Sequence, residues 1–151
     1  MRVYVASSWR NRDQPIVVQT LRSAGQEVYD FRHPAPGDHG FNWKQLNPEE
    51  PPPGQPRAWG AAYWRAMLAH PVARAAYDHD FGALKWCDVC VLVLPAGRSA
   101  SWELGWCMGQ GKPAIVLALE PTEPELMFRD AQIVGSLADM LIELAKIEAF
   151  R

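Results

Sequence analysis

A single carboxylate, Glu103, sits early in a helical pattern that leaves the end of a buried apolar run. The stretch is VLVLPAGRSASWELGWCMGQGKP, residues 91–113. The macrodipole favours an ionised acid in the first turn of a helix by roughly 0.3–1 kcal/mol, and that interaction alone would account for an acid here. A capping box would not, because the residue three positions earlier is Ala100 rather than Ser or Thr. The neighbours point further. Trp102 and Trp106 flank Glu103 with aromatic surface, and Gly105 and Gly109 are spaced to let the helix lie close on a sheet or a second helix. An ionised carboxylate shielded from water on one side suits a nucleophile, or a stabiliser of a positively charged, sugar-like transition state. Gly97, Arg98, Ser99 and Ser101 of the same turn, with its backbone N–H groups, form a candidate anion cradle. Its glycine and lysine spacing is not that of a Walker A loop.

The elements that must position these residues follow from periodicity. RVYVAS (residues 2–7) reads as a first strand, followed by the polar turn SSWRNRDQP. Ile16, Val17, Leu21 and Ala24 then recur at helical spacing, and Gly25 supplies the stop. EVYDF (27–31) reads as a second strand, so the unit is strand, helix, strand with short connections, which favours parallel pairing and a right-handed crossover. From 32 to about 57 the pattern dissolves into proline and glycine. A loop of that length is a lid, a binding loop or a disordered insert, and the aromatic FNW at 41–43 favours a binding loop. Two helices follow, one ending before Pro71 and one over 72–88 with Tyr77, Phe81 and Leu84 on one face. Asp80, three residues after Tyr77 and four before Leu84, borders that apolar face; His79 points about 100° away from it. VCVLVLP is an apolar strand of the kind covered on both faces. SASWELGWCMGQG reads as a helix and KPAIVLALE as a strand. The closing helix carries Leu137, Met140, Leu141, Leu144 and Ile147 on one stripe. No repeat or boundary divides the chain. The expectation is a single domain over 1–151, with a Pro-rich insert at about 32–57, built as a three-layer, doubly wound α/β sheet. Ligands of such sheets bind beyond the carboxyl ends of the strands. The turn Ser7, Ser8, Trp9, Arg10 and the turn 95–101 both lie at such ends.

Composition narrows the partners. At 151 residues with 48% hydrophobic and 21% charged residues, the chain is globular. A net charge of −2 argues against a general binder of nucleic acid or anionic membrane. No apolar run approaches the ~20 residues of a membrane span, and the opening residues lack a signal peptide's apolar core; a cytoplasmic location is expected. Cys87 and Cys90 have C-x-x-C spacing, yet no second pair of ligands completes a metal site, so the three cysteines are read as small apolar packing. The histidines have no ligand spacing. Neither a metal nor another cofactor is expected. Seven tryptophans are too many for core filling, and Trp9, Trp43, Trp59 and Trp102 lie in polar or proline-rich context.

YDHDFGALKWCDVCVLVLP and SASWELGWCMGQGKP together resemble the nucleoside 2-deoxyribosyltransferase family and its relatives that hydrolyse nucleoside 5′-monophosphates. The shared features are an Asp on a helix, an Asp before an apolar strand, a Glu–aliphatic–Gly motif after the turn, and G-x-G-K. VYVASSWR also resembles the family's opening strand and its small-residue turn with Arg. The resemblance covers most of the chain outside 32–70. It implies a flavodoxin-like fold in which Glu103 works at the anomeric carbon of a ribose or deoxyribose and Asp80 assists proton movement. It also implies that Ser8 and Arg10 lie near a 5′-phosphate, and that the chain forms a homodimer or larger homo-oligomer. The partner expected is a small-molecule nucleoside or nucleotide, its base stacked on Trp43 or another loop aromatic. One position departs from the transferases, which often carry another Asp six residues before the Glu. Here Gly97 stands there, followed by Arg98 and Ser99, and these side chains fit a phosphate better than an acid would. Two alternatives stand beside this reading: an NAD glycohydrolase of the Toll/interleukin-receptor type, and a nucleotide-binding sensor without turnover.

Overall fold

The computed structural model describes residues 1–47 and 60–150. The chain gathers into two compact units, Met1–Asp30 with Ala83–Arg151, and Phe31–Gly82. Its helices are α1 (Gln14–Ser23), α2 (Ala61–Ala69), α3 (Pro71–Trp86), α4 (Arg98–Gly109) and α5 (Leu137–Ala149). No helix among the described residues is long and apolar enough to cross a membrane.

The first unit holds the sheet. Strands β1 (Arg2–Ala6), β2 (Glu27–Asp30), β3 (Val89–Val93), β4 (Ala114–Leu117) and β5 (Gln132–Val134) are all parallel, in the order β2-β1-β3-β4-β5. This is the doubly wound, flavodoxin-type order expected of the fold. Val3, Val5, Val89, Val91, Val93, Ile115 and Leu117 turn one face toward Val17 and Leu21 of α1 and Met140 and Leu144 of α5. The alternate positions Tyr4, Ala6, Cys90, Leu92 and Val116 are equally buried. They face the opposite way, where α4 packs on β1, β3 and β4 with Ala100, Leu104 and Cys107 buried. Each fully buried Val, Leu or Ile contributes about 1.5–3 kcal/mol, which is why the strands read as unbroken apolar runs.

Helix ends follow local chemistry. Gly25 takes φ +80° just beyond α1, as a helix stop requires. Ser136 caps α5, its Oγ accepting the Asp139 N–H at 3.0 Å. Three features differ from the sequence reading. β5 is only three residues long, too short for any periodicity to show. Pro71 opens α3 instead of merely ending its predecessor, because a first-turn proline has no N–H to lose. Gly105 and Gly109 are not close-approach glycines: an added Cβ at either meets nothing within 4 Å among the described residues, and both positions are exposed.

At the amino edge of the sheet, Arg2 grips Asp88. Its backbone N–H and its guanidinium bond the two carboxylate oxygens at 2.8 and 2.6 Å, joining the start of β1 to the start of β3. The Arg2 guanidinium is held above its ordinary pKa by that hydrogen bond. Lys112, the lysine of GQGKP, closes the end of α3. Its Nζ donates to the carbonyls of Leu84, Lys85 and Cys87 at 2.6, 2.8 and 2.7 Å, satisfying acceptors that a helix C-terminus leaves open.

In the second unit, Asn42 caps a 3-10 turn at Trp43–Gln45, and Trp43 meets Phe41 edge-to-face at 4.9 Å. Gly40, at φ +67°, is required: a Cβ there would run into the carbonyl oxygen of Phe31. Tyr77 and Phe81 stack at 5.4 Å, but Tyr77 is 55% exposed, so of the apolar face read as Tyr77, Phe81 and Leu84 only Leu84 is fully buried. Residues 48–57 of the expected binding loop, and Trp59, lie outside the described residues.

Candidate functional site

The chain turns to opposite sides of the sheet after β1 and after β3, which are neighbours. Their carboxyl ends therefore form the switch-point crevice where sheets of this order bind ligands. The loop after β1 carries Ser7, Ser8, Trp9 and Arg10. The loop after β3 carries Gly97 and enters α4 with Arg98, Ser99 and Ser101. Pairing of β1 with β3 puts the two loops side by side, and Ser7 Oγ donates to the carbonyl of Val93 at 3.1 Å.

α4 begins at Arg98, with Gly97 as an extended N-cap that offers no side chain. The N–H groups of its first turn consequently have no side-chain cap, and in an α-helix they have no intrahelical acceptor either. Ser101 is partly engaged, its Oγ donating back to the Gly97 carbonyl at 3.2 Å. Ser8 Oγ accepts the N–H of Arg10 at 3.2 Å. Arg10 and Arg98 are exposed, and neither makes an ion pair among the described residues. Two guanidinium groups, serine hydroxyls and open N–H groups make a basic, donor-rich rim suited to an anion.

Glu103 is half-buried. With α4 starting at Arg98 it is the sixth helical residue, in the second turn rather than the first, where the macrodipole has largely faded. Dipole compensation thus explains it less well than the sequence suggested. Ser99, four residues earlier, shares its side of the helix. Trp102 is 53% exposed and Trp106 is half-buried, with Lys112 Nζ 5.6 Å from its ring centroid, so the aromatic flanks are uneven. Asp80 is half-buried on α3 and Trp43 is half-buried in its 3-10 turn; both belong to the second unit.

The sequence reading missed Asn11. It sits in a polar turn, yet it is 2% exposed and bonded to both loops. It also missed an apolar cleft of about 840 Å³ at the carboxyl ends of β4 and β5, lined by Leu94, Val116, Phe128 and Ile133 with Glu123 and Arg129. Ser8, Arg10 and Arg98 lie on the loops after β1 and β3 and at the start of α4, whereas this cleft lies at the ends of β4 and β5. No group of three or more His, Cys, Asp or Glu able to hold a metal occurs among the described residues.

No family model matches the chain, and no curated protein matches it. A solved structure does: a 2-deoxyribosyltransferase from the psychrotolerant bacterium Bacillus psychrosaccharolyticus, described as a biocatalyst for nucleoside synthesis. The two share 21% sequence identity with a TM-score of 0.58, over 93% of this chain and 90% of that one. Agreement over nearly all of both chains at such low identity is agreement of fold: the chain is similar in architecture to a 2-deoxyribosyltransferase.

Proposed function

We propose that this protein breaks the N-glycosidic bond of a nucleoside 5′-monophosphate, or of a nucleoside, with Glu103 as the nucleophile. The observation that carries the reading is a half-buried carboxylate one turn inside α4, whose uncapped N-terminus adjoins a rim bearing Arg10 and Arg98. A carboxylate oxygen of Glu103 attacks C1′ of the sugar. The bond from C1′ to the base nitrogen breaks, and its electron pair leaves with the base, which takes up a proton. Water then attacks C1′ and releases Glu103, completing hydrolysis; a second base in place of water gives transfer. The rim holds the 5′-phosphate and so fixes the sugar, converting an encounter into an aligned approach. The family resemblance assigns the proton to Asp80, and Asp80→Asn tests that role separately.

The test is free-base release across nucleosides, their 5′-monophosphates and NAD. We expect release from a monophosphate, lost by orders of magnitude in Glu103→Gln while ligand binding persists, since binding and transition-state stabilisation separate. The same variant should keep its melting temperature within a few degrees, because the weak dipole interaction is under about 1 kcal/mol. Near-normal turnover in Glu103→Gln would overturn the assignment.

A further inference from the structure

We propose that Asn11 is a positioning residue for this reaction, a tether that sets the phosphate-holding loop after β1 against the turn that launches the Glu103 helix. The inference rests on the glycosidic reading above. All four hydrogen-bonding capacities of one buried amide are engaged. Asn11 Nδ2 donates to the carbonyls of Val93 and Pro95, each at 3.1 Å. Its Oδ1 accepts the N–H groups of Asp13 and Gln14 at 2.8 and 3.1 Å. Two carbonyls on one side and two N–H groups on the other leave only one amide orientation possible.

The two halves of this amide do different work. The oxygen side organises its own loop and the start of α1. The nitrogen side crosses more than 80 residues of sequence to the end of β3 and the turn after it. Pro95 lies three residues before the first residue of α4, so the Asn11 bond to its carbonyl acts on the segment that aims the helix. A second buried link continues from the same place: Gln14, fully buried, donates its Nε2 to Asp30 Oδ1 at the end of β2 at 2.7 Å. One polar seam therefore runs beneath the crevice along the ends of β3, β1 and β2. Loss of the nitrogen side frees the two loops to drift relative to each other, and a displacement of about 1 Å between substrate and nucleophile is enough to cost 10²-fold in rate.

Asn11→Asp separates the halves. It keeps an oxygen for Asp13 and Gln14 but sets a second oxygen against the carbonyls of Val93 and Pro95. Asn11→Ala removes both sides and guards against an effect peculiar to the added charge. Base release by the unmutated protein is measured first; its absence across the panel overturns the glycosidic reading and the tether's role in it. With release established, we expect kcat in Asn11→Asp to fall roughly tenfold to hundredfold at temperatures well below its melting point. KM should change by less than about threefold, because misalignment acts on the chemical step. Amide hydrogen exchange at residues 101–104, the first bonded turn of α4, should quicken in the same variant. A residue serving stability alone would lower the melting temperature and leave kcat within about twofold of the unmutated value. That outcome overturns the proposal while the glycosidic reading stands, as does unchanged exchange at 101–104. If Asn11→Ala fails to fold, Asn11→Asp carries the decision by itself.

Discussion

On the proposed reading, Arg98 and Arg10 decide the substrate class. A nucleoside lacks the phosphate that a donor-rich rim would hold, and each hydrogen bond to a charged group contributes about 1.5–3 kcal/mol. A monophosphate should accordingly bind more tightly than its nucleoside, and Arg98→Ala should erase much of that difference while leaving nucleoside affinity nearly unchanged. Calorimetric titration of the four combinations reads this directly. Equal affinity for nucleoside and monophosphate in the unmutated protein would remove phosphate recognition from the reading. At this scale the sequence was informative about residue types and silent about their partners. Arg98 and Glu103 were singled out from the sequence because they follow the end of a buried apolar run. Asn11 was not, because an Asn in a polar turn ordinarily bonds its own backbone or water.

The contact of Cys87, just after α3, with Cys107 of α4 has a testable pH dependence. Cys87 Sγ and Cys107 Sγ lie 4.0 Å apart in the interior, and Lys112 Nζ is 3.8 Å from Cys87 Sγ. The hydrogen bond with Cys107, with burial, raises the Cys87 thiol well above its ordinary pKa. For Cys107 the contact with Cys87 acts downward, but the hydrogen bond with Cys90 and burial outweigh it and push the thiol up to about 12. Below the unfolded thiol value of about 8.5 both states keep their protons. Above it the unfolded chain gives them up and the folded chain does not, so stability should fall as pH rises from about 9 to 12. Denaturant midpoints across that range should slope less steeply in Cys107→Ala than in the unmutated protein; identical slopes would show that the thiol does not contribute. All three cysteines are buried and free, in keeping with small apolar packing. In the fold the close sulfurs come from different elements, Cys87 after α3 and Cys107 within α4. Lys112 shows the same limit: its motif was visible, but its work on the carbonyls of Leu84, Lys85 and Cys87 depends on where α3 ends.

For the whole molecule, a ligand that binds only the folded state stabilises it by mass action, by about 2.7 kcal/mol at a hundred times Kd. For a chain of 151 residues that corresponds to a rise in melting temperature of roughly 5–10 °C. A saturating nucleoside 5′-monophosphate should produce such a shift, and inorganic phosphate at equal concentration a smaller one. No shift with any nucleotide would count against the site itself.

By itself, the sequence determined the longer elements. Apolar runs with both faces buried specify β1, β3 and β4, and 3.6-residue stripes specify α1 and α5, because burial imposes its period on local residue choice. A strand–helix–strand rhythm of this kind also limits the architecture to a wound parallel sheet. What only the tertiary structure decided is everything that depends on pairing at long range. The order β2-β1-β3-β4-β5 sets the loop after β1 beside the loop after β3, and no local pattern encodes that adjacency. The Asn11 tether, the Arg2–Asp88 clasp and the Cys87–Cys107 contact span 82 or 84, 86 and 20 residues. Such contacts arise when the buried strands choose their neighbours. The apolar strand residues that drive the choice are nearly interchangeable in a sequence, whereas the few polar groups they bring together are not.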